Sequence, residues 1–155
     1  MSVRCKAINK DNSTCRNQTK RQYPYCWIHL KSKENLQVKP SNIRPAGLGL
    51  FYTGKTPIAA EKKITDYSAR EITRTGEGNY SLQISKNQFL DSADPLNFVG
   101  RYINDARGSR YNNNVRFGNG YNPRRKDDRF VIPVFTTKRI MPNTELLASY
   151  GRNYW

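Results

Sequence analysis

The sequence predicts a mostly-β domain of short strands preceded by a small Cys/His module, on three observations. All three cysteines and the single histidine of the 155-residue chain fall within its first 29 positions. From Asn42 onward, short β-prone runs alternate with turn residues, and no amphipathic helix longer than about three turns is evident. Aromatics make up 12% of the chain and offset a hydrophobic fraction of only 36%, so a small core is within reach and full disorder is not expected. The length suits one domain plus an accessory and excludes a multi-domain machine.

Cys5, Cys15, Cys26 and His29 form a C-x9-C-x10-C-x2-H arrangement. Tetrahedral zinc needs four soft or borderline ligands, and Cys26-Trp27-Ile28-His29 gives a close pair that one turn can fold onto a metal. Asp11-Asn12-Ser13 supplies a turn between the first two cysteines. A segment this short and polar cannot build its own core, but with thiolates bound, metal binding becomes folding free energy. The alternative is three unrelated buried thiols plus a surface histidine; a disulfide is disfavoured in an intracellular chain. Residues 31–41 (KSKENLQVKPS) are polar, aperiodic and carry Pro40, which reads as a linker. The expected division is therefore 1–39, a zinc-binding module and linker, and 40–155, the main domain.

Within 40–155, strands are expected at 49–52, 63–67, 80–84 and 130–137, and short helices at 86–91 and 97–104. Pro142-Asn143 makes a turn after a strand ending near Ile140, and 105–129 is expected to be long loops.

Lys and Arg total 27 against 12 Asp and Glu, a net charge of +15 that bears on partners rather than on fold. The excess sits in two blocks, residues 1–39 and 101–139, flanking a nearly neutral middle with Glu61, Asp66, Glu71 and Glu77. Either the blocks contact DNA or RNA phosphates or they are solvated faces that aid solubility. No run of about 18 apolar residues exists and the first 30 positions lack an apolar signal core, so no membrane role is expected and the chain reads as intracellular.

Four stretches in order carry a family likeness. Ile43-Arg44-Pro45-Ala46-Gly47-Leu48-Gly49-Leu50-Phe51 resembles an "I…AGxGLF" opening strand, and Ile64-Thr65-Asp66-Tyr67 an "I.EY" strand. Gly100-Arg101-Tyr102-Ile103-Asn104 resembles "xRFINH", and Glu145-Leu146-Leu147-Ala148-Ser149-Tyr150-Gly151 resembles "EExxxDYG". Together they resemble the SET-domain protein lysine methyltransferases, in particular the compact viral members, across 42–155. The resemblance implies a β-clip fold of short strands with a C-terminal pseudoknot. The first 29 residues likewise resemble small Cys3His knuckles of eukaryotic and giant-virus proteins, which suggests an interaction or nucleic-acid-contacting module.

By resemblance, the activity is S-adenosylmethionine-dependent protein-lysine N-methylation. Tyr150 is then the catalytic tyrosine beside the transferring methyl, and Tyr67 lines the lysine channel. Ala46, Gly47, Leu48 and Gly49 form the cofactor-contacting stretch, with Tyr80 a further cofactor contact. Asn104 matches the cofactor-holding asparagine and Asp105, standing where the family has His, is expected to contact the cofactor beside it, while residues 106–114 (ARGSRYNNN) replace the family's short "SCxPN". One of Asn112, Asn113 or Asn114 takes the place of the second asparagine, and Arg101 is expected to brace the fold. Ala148 occupies the position that selects methylation state; its small size allows di- or trimethylation. No cysteine follows Cys26, so no zinc-bound segment closes the channel. Tyr154 and Trp155 either form an aromatic lid over the substrate or simply pack.

The expected substrate is a histone tail lysine, its positive charge meeting the acidic middle while the basic blocks contact nucleic acid. The alternatives are a methyltransferase of a non-histone protein and a nucleic-acid-binding zinc protein whose SET-like domain is inactive. The viral resemblance implies action in the host nucleus or virus factory, or presence in the virion, and so small a unit exposes enough surface for a homodimer.

Overall fold

In the computed structural model, which describes residues 2–9, 11–20, 26, 35–44, 46–69, 71–74, 81–92, 99–126 and 129–150, the chain is mostly β, built of short antiparallel strands. At the amino terminus, β1 (Ser2–Arg4) pairs with β2 (Gln18–Lys20). The expected turn between them is present: Asn12 sits at φ 64°, and the Asp11 carboxylate accepts the Ser13 N–H at 3.0 Å and the Ser13 hydroxyl at 2.5 Å.

The run LGLFY forms β4 (Leu48–Tyr52), with its last four residues buried. It is flanked by β3 (Leu36–Pro40) on one edge and β12 (Thr144–Glu145) on the other. The linker expected at 31–41 is thus corrected for 36–40. Those residues look polar because an edge strand needs only one buried anchor, here Leu36, and Pro40 is tolerated at its end.

The largest sheet is centred on β11 (Arg129–Thr136), with β5 (Lys63–Ala69) along one edge. Along the other edge lie β9 (Val115–Phe117) and β10 (Arg124–Lys126). A short 3-10 turn, Asn119–Tyr121, connects those two. The long loops expected over 105–129 are therefore corrected from 115 onward; three-residue strands carry too little alternation to announce themselves and are formed by β11's open edge. β11 stops at Thr136 rather than near Ile140, which instead makes an isolated bridge with Ile58.

A third sheet has the order β6 (Glu71–Thr73), β8 (Gln88–Asp91), β7 (Ser81–Ser85). The helix expected at 86–91 is a hairpin turn running into β8. Leu82 and Leu90 face each other across the pair, both fully buried, a period-two contact that outweighs the helical propensity of a six-residue run. At 97–104, the described residues hold a 3-10 helix, Val99–Tyr102, all four of them buried.

Leu50, Tyr67, Leu82, Leu90, Ile132, Val134 and Leu146 are fully buried and form one core shared by these sheets. A separate, smaller cluster contains Cys5, Ala7, Cys15 and Cys26. Among the described residues no helix is long and apolar enough to cross a membrane.

Candidate functional site

The three cysteines converge as their spacing predicts. Their sulfur atoms lie within 4.8 Å of one another, all buried and none in a disulfide. Cys15 Sγ and Cys26 Sγ are 3.8 Å apart. Two thiolates on one tetrahedral zinc, at about 2.3 Å per bond, would be separated by roughly 3.8 Å, whereas a disulfide needs about 2.05 Å. The Cys26 amide donates to Cys5 Sγ at 3.1 Å, and the Asn17 amide and side-chain Nδ2 donate to Cys15 Sγ and Cys26 Sγ, each at 3.4 Å. Such donors favour thiolates and hold them in place. The Asn17 amide by itself favours ionised Cys15, but burial and the neighbouring Cys26 and Cys5 thiols outweigh it and raise the Cys15 thiol above its ordinary value. A cation joining the three sulfur atoms would offset that and favour the ionised Cys15 thiol. The donor set suits a metal and is compatible with zinc; His29, the expected fourth ligand, lies outside the described residues. Asn17 gave no signal in the sequence, because a donor to sulfur is recognised only by position.

The second site is a cleft of about 740 Å³ between segment 42–48, the end of the 3-10 helix and loop 105–111. Ala46, Leu48, Asn104, Asp105 and Tyr150 all line it, although Ala46 and Tyr150 stand at opposite ends of the domain in sequence. Gly47 and Gly49 shape one wall without lining the cleft. Gly47 has φ +78°, which turns the chain so that its carbonyl accepts the Ser41 amide at 2.8 Å. A Cβ on Gly49 would lie 2.6 Å from Glu145 Oε2. That space lets buried Glu145 accept the Ser41 hydroxyl and the Asn42 amide, each at 2.7 Å. Glu145 is thus the anchor of the cleft wall, a role that sequence reasoning missed.

Residues 144–150 are hydrogen-bonded on both edges. On one, Leu147 bridges Asn104 in parallel and the Ala148 amide donates to the Asn104 carbonyl at 2.9 Å. On the other, the Asn114 side chain donates to the Glu145 carbonyl at 2.8 Å and accepts the Leu147 amide at 2.9 Å. Of the three asparagines left open by the sequence, Asn114 therefore clamps this segment, while Asn113 accepts the Ala106 amide at 2.9 Å. Asn104 Nδ2 donates to the Leu48 carbonyl at 2.9 Å, tying the segment to the opposite wall. The Asp105 carboxylate accepts the Arg107 amide at 2.9 Å and the Tyr150 amide at 3.1 Å, so one side chain, with an oxygen for each, braces the start of the loop against Tyr150.

Tyr150 is buried, with its hydroxyl donating to the Ile103 carbonyl. Its ring lies 5.3 Å from Phe117 and 6.5 Å from Tyr67, both centroid distances. Tyr67 is fully buried, edge-on to Phe117 at 5.6 Å, and does not line the cleft. Ala148 is also fully buried. Tyr121 completes the aromatic row, 6.1 Å from Phe117, with its hydroxyl donating to the Ser149 carbonyl at 3.3 Å. Burial, and then the charge of Asp105, raise its phenol above the ordinary tyrosine value. Phe117 and Tyr121 escaped sequence reasoning because they fall in the stretch read as loop; an aromatic beside Asn-Gly-Tyr was the available signal. Arg101 does brace the fold, donating to the Ser92 carbonyl at 2.9 Å, and also forms part of the cleft wall. Tyr80, Tyr154 and Trp155 lie outside the described residues.

The cleft thus offers exposed carbon from Leu48, backbone and amide groups, and the largely buried Tyr150 in its lining. No protein-family model matches the chain, and no curated protein matches it significantly.

Proposed function

We propose that the protein is an S-adenosylmethionine-dependent protein-lysine N-methyltransferase of the SET type, acting on histone lysine, with a zinc-stabilised amino-terminal module. The observation that carries this reading is that one cleft gathers Ala46, Leu48, Asn104, Asp105 and Tyr150, residues drawn from three of the four resembling motifs. The passage of 144–150 between Asn104 and Asn114 supports a pseudoknot of the SET kind. The volume of about 740 Å³ falls within the usual range for small-molecule sites and is compatible with this reading.

Bound there, the cofactor would supply an electrophilic sulfonium methyl. Ala46, Leu48 and Asn104 would hold it, and the protein's remaining task is to present an unprotonated lysine amine in line. An ordinary lysine is protonated at neutral pH, so the site must strip water from it and lower its pKa. Tyr150, the member of that aromatic row that lines the cleft, supports that task, because an aromatic face excludes water yet tolerates an approaching ammonium; Tyr67, Phe117 and Tyr121 hold its ring in place. The Tyr150 hydroxyl and the carbonyl it bonds are the polar groups at the base of the cleft that would orient the amine. For the amino-terminal module, Cys5, Cys15, Cys26 and His29 would hold zinc.

The test is to incubate the protein with labelled S-adenosylmethionine and panels of free histones, nucleosomes and non-histone proteins. Label is expected on histone lysine, falling about 100-fold or more in Tyr150→Phe while cofactor affinity persists. Label on non-histone proteins alone would move the substrate class. Absence of both labelling and cofactor binding, with tight DNA or RNA binding, would replace this reading with a nucleic-acid-binding zinc protein.

A further inference from the structure

The charge of the cleft is one-sided. Arg44, Arg101, Arg107 and Arg110 line it against a single carboxylate, Asp105. That carboxylate also accepts the backbone amides of Arg107 and Tyr150. The loop bearing Arg107 and Arg110 replaces the short stretch of the resembling motif and is internally built. Gly108 turns it at φ +78°, the Ser109 hydroxyl donates to the Ala106 carbonyl at 2.6 Å, and the Tyr111 amide donates to the Ser109 hydroxyl at 3.1 Å. Arg110 is held over Tyr111, its guanidinium carbon 5.1 Å from the ring centroid and Nη2 donating to the Tyr111 hydroxyl at 3.0 Å. Another wall of the same cleft is apolar, with Leu48 46% exposed beside Ala46 and Ile43.

An apolar wall beside the ring-stacked guanidinium of Arg110 and the neighbouring Arg107 suits a flat ring system carrying an anionic tail. We infer that Arg107 and Arg110 form an anion seat that binds the carboxylate or phosphate tail of an adenosine-type ligand whose ring system lies against Leu48. The adenosine part of this inference rests on the methyltransferase reading; the anionic part rests on the arginines. A guanidinium already stacked on an aromatic ring loses little freedom on binding, and its planar fork matches either carboxylate or phosphate oxygens.

Calorimetry on the full chain tests it with three probes: S-adenosylhomocysteine, 5′-methylthioadenosine, which lacks the amino-acid tail, and adenosine diphosphate. S-adenosylhomocysteine is expected to bind at least about tenfold more tightly than the tailless probe. An Arg107→Ala, Arg110→Ala double variant is expected to remove that advantage and leave 5′-methylthioadenosine binding unchanged. Equal affinity with and without the tail, alongside Tyr150-dependent methyl transfer, overturns the anion seat while the enzyme reading stands. Tight adenosine diphosphate binding that is lost in the double variant, with no affinity for S-adenosylhomocysteine, upholds the seat for a phosphate tail and removes the enzyme reading. No binding of any probe overturns the inference. Should the double variant melt below the assay temperature, the three probes on the unmodified chain decide alone.

Discussion

The amino-terminal cluster and the larger core bury very different material. Among the described residues, the cluster of Cys5, Ala7, Cys15 and Cys26 buries little hydrocarbon, and Ile8, next in sequence to Ala7, is 65% exposed. The larger core holds Leu50, Leu82, Leu90, Ile132 and Leu146, each fully buried and each worth about 1.5–3 kcal/mol on transfer from water. If the sulfur atoms hold a metal, one region depends on it and the other on ordinary hydrophobic burial, so a single chain should respond to chelators and to core mutations in separable ways.

The sharpest break of that contrast is metal removal. A chelator, or Cys15→Ser, should release about one zinc per chain and expose the amides of β1 and β2 to fast hydrogen exchange, with β4, β5 and β11 still protected. Loss of protection throughout would mean that the two regions fold as one. The reciprocal change, Leu146→Ala, should lower stability by about 2–5 kcal/mol in denaturant titrations without altering zinc content. Asn114→Ala should cost about 1–3 kcal/mol, because it strands the Glu145 carbonyl and the Leu147 amide, whereas Asn113→Ala loses one bond at a loop and should cost less. The smallest effect belongs to the Asp11 turn. The Ser13 hydroxyl and then the Ser13 amide hold the Asp11 carboxyl below the usual aspartate range. Its contribution is therefore present above the unfolded aspartate value and lost as pH falls through the lower folded value. A carboxyl titration by NMR should place Asp11 below a free aspartate, and Ser13→Ala, which removes the hydroxyl but keeps the amide, should bring it part of the way back.

Sequence reading reached the strands that contain at least a full alternation, such as 49–52 and 130–137, and it reached the cysteines, whose spacing carries their chemistry. It also chose Ala46, Leu48, Asn104, Asp105 and Tyr150, which share one cleft. It missed β3, β9 and β10, whose strand state comes from the partner offering an open edge. Glu145 and Asn17 were equally hidden, because their roles depend on which backbone amides or sulfur atoms come within reach. Asn114 could not be told from Asn112 and Asn113 until the segment it grips was in place. The run 86–91 went wrong for a related reason: its Leu90 answers to Leu82 on the facing strand and not to its own local propensity.

The bonds from Glu145 to Ser41 and Asn42 join positions 104 and 103 residues apart. Closing so long a loop loses chain entropy before any contact compensates it, so topologies of this kind form late. The hairpin of β7 and β8 needs no such closure. In a refolding time course, pulsed exchange should protect Leu82 and Leu90 before Asn42, whose amide waits for the Glu145 carboxylate. The binding cleft would then be among the last parts of the molecule to mature, and compact chains without it would be the transient species exposed to chaperones and proteases.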